Sequence, residues 1–395
     1  MNTTTNEDGQ ALARAAADAL RRGDARNARD LFLRAAQSGQ ADIGVMLGLA
    51  YSCRALEDWG GMVASVDRVL AADPRNLRAL IMKGDGLDRT GDARSAAAHY
   101  RAALRAAPPP EQLPPDLRQE LGRAQQANEQ FTKRYEDHLR SWMKQKGVDA
   151  KLQGPTRFEQ SFDILLGRQR IFMQEPRYFY FPQLEQRPFF DRAAFPWLDG
   201  LEAAVPAIRA EVDALLQDAA AFTPYIKGDP ARPPQAQRPL ADNPAWSAFH
   251  LWRNGTLDAA NAARCPQTMA ALAGVPLAQM SHRSPTAMFC KLDPGTLIPP
   301  RNGLINTRLI VHLPLIVPGR CHLRVGGEVR ELEAGKAWVI DDSIEHEAVN
   351  QGTGPRVMLV FDVPRPDITD EEHRNVAALL EGVDAFVGQP PGWEI

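Results

Sequence analysis

Two periodicities divide this chain of 395 residues. Over residues 11–108, small and apolar positions recur every 34 residues: Ala16, Ala50 and Gly84 align, then Ala28, Met62 and Ala96. Phe32, Val66 and Tyr100 follow on the same register, then Ala35, Val69 and Ala103, with Pro74 and Pro108 closing the last two units. Gly23-Asp24 returns as Gly91-Asp92, and Glu57-Asp58 lies halfway between. Small residues let two helices approach and the bulky position fills the groove between them, so each unit predicts a helix pair. Beyond residue 284 the period falls to two. TAMFCKL, TRLIVHLPLIV, CHLRVGG, EVRELEAG, KAWVIDD, HEAVN and RVMLVFDVP are short, β-branched and separated by Pro/Gly turns, which predicts seven or eight strands.

Between these regions the chain is punctuated. PPPEQLPP at 108–115 cannot continue a helix, and the polar run that follows predicts one long helix. From about residue 157 the texture is aromatic and Pro-rich, an amphipathic helix spans Leu198 to Leu216, and 222–245 reads as loop. The period and residue order of the first region resemble the tetratricopeptide repeat, and the long polar helix resembles its cap. The expected fold is multidomain α + β: a helical TPR-like solenoid followed by a double-stranded β-helix of the jelly-roll or cupin kind. Expected boundaries are 8–110 for the repeats, 111–150 for the cap and linker, and 157–385 for the second domain, with a barrel core at about 284–366.

Composition narrows the function classes. A net charge of −3 gives no electrostatic reason for a nucleic acid or anionic membrane partner. The four cysteines, Cys53, Cys265, Cys290 and Cys321, form no CxxC pair, which removes zinc-knuckle and thioredoxin-type motifs. Their scatter fits a reducing compartment, and the N-terminus lacks the apolar stretch of a signal peptide. No window reaches the apolar length of a membrane helix. The expected location is cytoplasmic.

The candidate chemistry sits among the strands. In TRLIVHLPLIV, Leu309, Val311, Leu313 and Leu315 share one face, leaving Arg308, Ile310, His312 and Pro314 on the other. A core-facing Arg needs an anionic partner, and a bound carboxylate matches its planar fork of donors. His346, in DDSIEHE between two strands, is placed to bind a metal through a neutral ring nitrogen. Arg356 opens the next strand.

Taken together, WSAFHLWRNG, LDPGTLIPPRNGLINTRLIVHLPLIVP, RVGGEVRELEAGKAWVIDDSIEHEAVN and RVMLVFDVPRPDIT resemble the aspartyl/asparaginyl β-hydroxylase family, a branch of the Fe(II)/2-oxoglutarate oxygenases. The resemblance implies a dioxygenase that hydroxylates an Asp, Asn or related amino-acid unit, free or in a peptide or carrier-bound substrate. It implies Fe(II) on His346 and the distal carboxylate of 2-oxoglutarate on Arg356. His312 would stand beside the cosubstrate, Arg308 would assist, and Cys290 would occupy the place of a cosubstrate-contacting serine. The repeats would present a peptide, protein or carrier-bound substrate.

One position departs from the pattern. Where the family has a second metal-binding His, this chain has Arg301, and a guanidinium cannot coordinate iron. Three accounts stay open: another ligand from His282, His322 or Asp342; a catalytically silent relative acting as a binding or scaffold protein; or turnover with an altered metal site. His99, His138 and His373 read as solvated helix residues, and His250, Cys321 and His322 as packing.

Overall fold

Three aspartates spaced 34 residues apart start every second helix of the N-terminal region. In the computed structural model, which describes residues 3–148, 156–227 and 240–387, α1 (Thr3–Arg21) pairs with α2 (Ala25–Gln37), α3 (Ile43–Ala55) with α4 (Trp59–Ala72), and α5 (Leu77–Arg89) with α6 (Ala93–Ala106). Asp24, Asp58 and Asp92 are the N-caps of α2, α4 and α6, and each carboxylate accepts from the backbone N–H three residues on. The residue before each cap has positive φ: Gly23 at 81°, Glu57 at 58° and Gly91 at 90°. Glu57 therefore holds a left-handed conformation that its two counterparts give to glycine.

All twelve residues aligned by the 34-residue period are buried. At Gly84 a Cβ would come within 2.5 Å of the Tyr100 ring, so the small residue lets α5 and α6 close together. The long polar helix is present as α7 (Pro115–Gln145), entered through a short 3₁₀ turn at Pro110–Gln112. Leu117, Leu121 and Ala124 bury against the last repeat, while Arg54–Glu120, Arg78–Asp116 and Arg123–Asp85 tie the cap along its polar edge.

The division between the two units falls at Leu166/Gly167. Helix α8 (Arg157–Leu165), expected to open the second domain, groups with the repeats instead. Arg140 of α7 lies over the Phe162 ring and pairs with Glu159. Residues 149–155 of the expected linker lie outside the described residues.

In the second unit the helix expected over Leu198 to Leu216 is two, α9 (Leu198–Ala203) and α10 (Val205–Leu215), because Pro206 in the first turn of α10 restarts the hydrogen-bond ladder. The other short helices are α11 (Ala259–Ala263) and α12 (Pro266–Leu272), and α13 (Asp370–Val387) follows the last strand. The Pro-rich loop expected at 222–245 contains a short strand, β1 (Thr223–Pro224); its residues 228–239 are not among those described.

The remaining strands are β2 (Trp246–Arg253), β3 (Thr256–Leu257), β4 (Ala287–Leu292), β5 (Leu297–Arg301), β6 (Arg308–Ile316), β7 (Cys321–Val325), β8 (Glu328–Glu331), β9 (Trp338–Ile340), β10 (His346–Asn350) and β11 (Arg356–Pro364). They form two antiparallel sheets, one ordered β1-β2-β4-β11-β6-β9 with β3 beside β2, the other β5-β10-β7-β8. This is the expected double-stranded β-helix. Leu309, Val311, Leu313 and Leu315 pack outward with α9, α10 and α12. The alternate residues of the larger sheet face the smaller one, where Met288, Ile310, Met358 and Val360 meet Leu323, Val325 and Ala348.

A strap formed by residues 174–190 runs from the loop before β10, past the segment before β6, to edge strand β9 of the larger sheet. It is pinned by isolated bridges from Gln174 to Ile344, Phe179 to Ile305 and Phe189 to Ile340. Among the described residues no helix is long and apolar enough to cross a membrane. The four cysteines are free and buried.

Candidate active site

Period-two alternation carries the inner residues of β4, β6, β10 and β11 to one place. Six of the seven residues singled out from the sequence, Cys290, Arg301, His312, Asp342, His346 and Arg356, line a single cavity of about 40 Å³ between the sheets. Trp246, Ile298, Met288, Leu323 and Met358 supply its apolar wall. Trp246 and Ile298 belong to strands that the sequence pattern did not show.

The seventh residue, Arg308, lies outside the cavity lining. It shares a strand face with His312, as expected, but starts the strand and sits between two buried carboxylates. Its guanidinium is 3.6 Å from Asp342 and 3.8 Å from Asp362. Both distances exceed a hydrogen bond, and its three nitrogens have no hydrogen-bond partner. It faces those two carboxylates and does not line the cavity itself. Of the other ligands considered, His282 is exposed in a turn with φ 58°, and His322 points to the side of β7 opposite its inward Cys321 and Leu323.

Arg301 and His346 stand directly opposite each other in the ladder between β5 and β10. Arg301 Nε donates to His346 Nε2 at 3.3 Å, while His346 Nδ1 donates to Ile344 O at 3.1 Å. Both ring nitrogens are thereby engaged, and the tautomer is fixed with the proton on Nδ1. Burial, with help from the Arg301 charge, pushes His346 down to about 3, so its ring is neutral. The Arg301 guanidinium also lies 4.5 Å over the Trp246 ring and 6.0 Å over that of Tyr225.

Arg356 is buried at 1% exposure, and its Nε and Nη1 have no hydrogen-bond partner. Burial lowers its pKa, and among the described residues no carboxylate pairs with it. His312 faces it, with Nδ1 also unpartnered; burial first and the Arg356 charge second hold the imidazole neutral. Cys290 is committed to Trp246, whose Nε1 donates to its Sγ at 3.3 Å. Buried donors without partners are costly, and together they mark where an anion belongs.

Asp341 and Asp342 are adjacent, both buried, and unlike. Asp341 accepts from Gln174 Nε2 and Arg365 Nη1, each at 2.6 Å, and from the backbone N–H and hydroxyl of Ser343. The pair of bonds to Ser343 makes a backbone-directed turn, and two distant residues extend it. Gln174 and Arg365 were not read from the sequence. Asp342 accepts no hydrogen bond, and burial raises it to about 6 despite the neighbouring Arg308. Its place under the chain depends on Gly303, where a Cβ would fall 2.2 Å from Oδ2.

These residues do not fit a metal. His346 presents no free lone pair, and the charged guanidinium sits where the partner ligand would be. A divalent cation about 4 Å from it would meet repulsion on the order of several kcal/mol at an effective dielectric near 20. Among the described residues no group of three His, Cys, Asp or Glu is placed to hold an ion.

His250 on β2 offers a clean pH test. Burial first and Arg253 second lower it to about 4. A histidine with a depressed folded pKa contributes stability that is complete above the unfolded value near 6.5 and is lost as pH falls. Between pH 7.5 and 5.5 the unaltered chain should lose about 1 kcal/mol more unfolding free energy than His250→Gln, measured by denaturant titration at each pH. Equal losses would show that His250 does not stay neutral.

The cavity thus lies between the two sheets of a double-stranded β-helix. The sequence model of the aspartyl/asparaginyl beta-hydroxylase family matches residues 202–366 of this chain. The ornithine lipid ester-linked acyl 2-hydroxylase of Rhizobium tropici is 32% identical over 191 residues, covering 47% of this chain and 63% of that protein. The human aspartate beta-hydroxylase domain-containing protein 1 is 31% identical over 206 residues, covering 51% and 50%. The chain thus spans half to under two thirds of the length of these curated relatives. The Arabidopsis OM64 TPR domain overlays 31% of this chain and 98% of its own at a TM-score of 0.27 and 16% identity. The assignment of the repeats rests on their own 34-residue period and caps.

Proposed function

We propose that the barrel cavity binds a 2-oxo acid of the 2-oxoglutarate class, with its distal carboxylate on Arg356. The observation that carries this reading is the buried Arg356 guanidinium, two of whose nitrogens have no partner. A carboxylate there satisfies the donors and neutralises the charge in one step. His312, held neutral beside it, orients the acid through a hydrogen bond, and the apolar wall of Met288, Leu323 and Met358 excludes water.

A second reading is favoured by the family match. It makes the chain an Fe(II)/2-oxoglutarate-dependent dioxygenase that hydroxylates an Asp/Asn-type or related unit. Because the side chains do not fit the metal, no oxidative step follows from this geometry. The relatives' names pair an amino-acid unit with a lipid acyl group, so the substrate class is wide. The solenoid favours a peptide, protein or carrier-bound partner. Its surface carries a cavity of about 500 Å³ between α2, α3 and α4, with Leu33, Met46 and Leu49 apolar and Arg29, Asp58 and Arg68 polar.

The test is thermal unfolding of the full chain with 2-oxoglutarate and with its dimethyl ester, alongside iron content and succinate formation. The free acid should raise Tm by several degrees at a hundredfold excess over Kd, and the ester should not. Equal effects of acid and ester would remove Arg356 as the anchor. Iron retention with succinate release would establish the second reading.

A further inference from the structure

We infer that the groove between α2 and α4 docks an acidic peptide segment of a partner protein, one with an apolar side chain beside a carboxylate. This rests on the reading of the repeats as the part that takes a peptide or protein partner. Met46 and Leu49 of α3 form the floor, Leu33 of α2 lines one wall, and Gly61, Ala64 and Ser65 of α4 line the other. Those small residues leave a volume of about 500 Å³. At Gly61 a Cβ would fall 2.4 Å from Asp58 Oδ2 and 3.0 Å from Cys53 Sγ, so the glycine keeps that wall low. Leu33 stays 40% exposed, which leaves apolar surface for a partner side chain to cover.

Charge decides the partner's chemistry. Arg29 and Arg68 line the groove together with the apolar residues. Arg68 Nη1 donates to Met46 Sδ at 3.9 Å, and among the described residues no carboxylate pairs with it. Arg29 Nε lies 3.6 Å from the exposed Asp30 carboxylate, longer than a hydrogen bond, and has no hydrogen-bond partner. The one carboxylate in the groove, Asp58, is committed to capping α4, where it accepts from the Gly61 N–H at 2.8 Å. The uncompensated groups are therefore cations, and an acidic segment complements them where a basic one is repelled.

The 34-residue period supplies an internal comparison. One repeat further on, Arg29, Leu33, Leu49, Ser65 and Arg68 become Val63, Asp67, Lys83, His99 and Ala102. There Lys83 closes on Asp67 at 2.5 Å, and neither arginine has a counterpart. The positions that pack the helices recur in every unit, so the cationic, apolar groove is an addition to the repeat and not a consequence of it.

The experiment is calorimetric titration of the full chain with short capped peptides built from serine, leucine and one further residue: glutamate, glutamine or lysine. The glutamate peptide should bind about tenfold more tightly than the glutamine peptide, and the lysine peptide more weakly than either. Arg68→Glu should weaken the glutamate peptide about tenfold or more. Ala64→Trp fills the groove from an exposed position without changing charge, and it should have an effect of the same order. Thermal unfolding of each variant verifies its fold.

If the glutamate and glutamine peptides bind alike, or the lysine peptide binds best, the inference is overturned while peptide binding by the repeats stands. A folded variant of either kind that binds the glutamate peptide as the parent does places the site elsewhere and also overturns it. If none of the three peptides binds the unaltered chain, the reading of the repeats as a peptide-binding part fails, and the inference with it.

Discussion

Arg356→Met will weaken 2-oxoglutarate binding by roughly two to three orders of magnitude and will raise, not lower, the unfolding free energy. The two effects share one cause. Arg356 is buried with two donors unpartnered and no carboxylate beside it, so the ligand-free fold bears an uncompensated charge. Methionine fills much of the same volume without that charge, and such replacements of buried ionic groups are often stabilising by about 1–4 kcal/mol. Losing a buried guanidinium–carboxylate contact costs about 2–5 kcal/mol of binding. Denaturant unfolding and calorimetry on the same preparation read both signs. A variant that is less stable and still binds the acid would refute the assignment.

Asp341→Ala will be the most damaging single change in the barrel, at about 3–5 kcal/mol and roughly 10 °C in Tm. Removing this carboxylate takes from the fully buried Arg365 side chain one of its two carboxylate partners, leaving the partly exposed Asp367, and takes from Gln174 Nε2 the shorter of its two hydrogen bonds. Its neighbour should behave in the opposite way. Asp342→Asn removes a carboxylate that burial already pushes up to about 6 and that accepts no hydrogen bond, so its cost should stay under about 1 kcal/mol. Thermal unfolding of the two variants side by side is the measurement. Equal losses would mean that the loop does not distinguish its two acids.

Much of this was legible in the sequence, and for identifiable reasons. A 34-residue repeat survives because each helix pair meets the same neighbours, so the same positions stay small. The strand carrying Arg308 and His312 could be read because one face packs on helices and the other on the second sheet. Strand β2 could not, since WSAFHLWR is buried on both faces and shows no alternation. Strand β5 was hidden by Pro299 and Pro300, which read as a turn and in fact sit at a register shift opposite β10. Arg308 was placed on the correct face, but face alone does not give position along the strand, and only the structure shows it behind the cavity. The partners of Asp341 were invisible for a deeper reason. Gln174 is 167 residues away and Arg365 is 24 away, and no local pattern announces a buried network assembled across such spans.

The strap has a practical bearing on excision of the barrel. Family similarity begins at residue 202, and a fragment cut there would look complete by homology. It would lack Gln174, the carbonyl of Glu185 that accepts from Arg365, and the Phe190 N–H that bonds to Val339 O. Among the described residues, the Asp341 carboxylate in the loop bearing His346 would then keep only Arg365 as a partner outside its own turn. A fragment beginning at Gly167 keeps all three, and the minimal autonomous barrel is therefore longer than its homology.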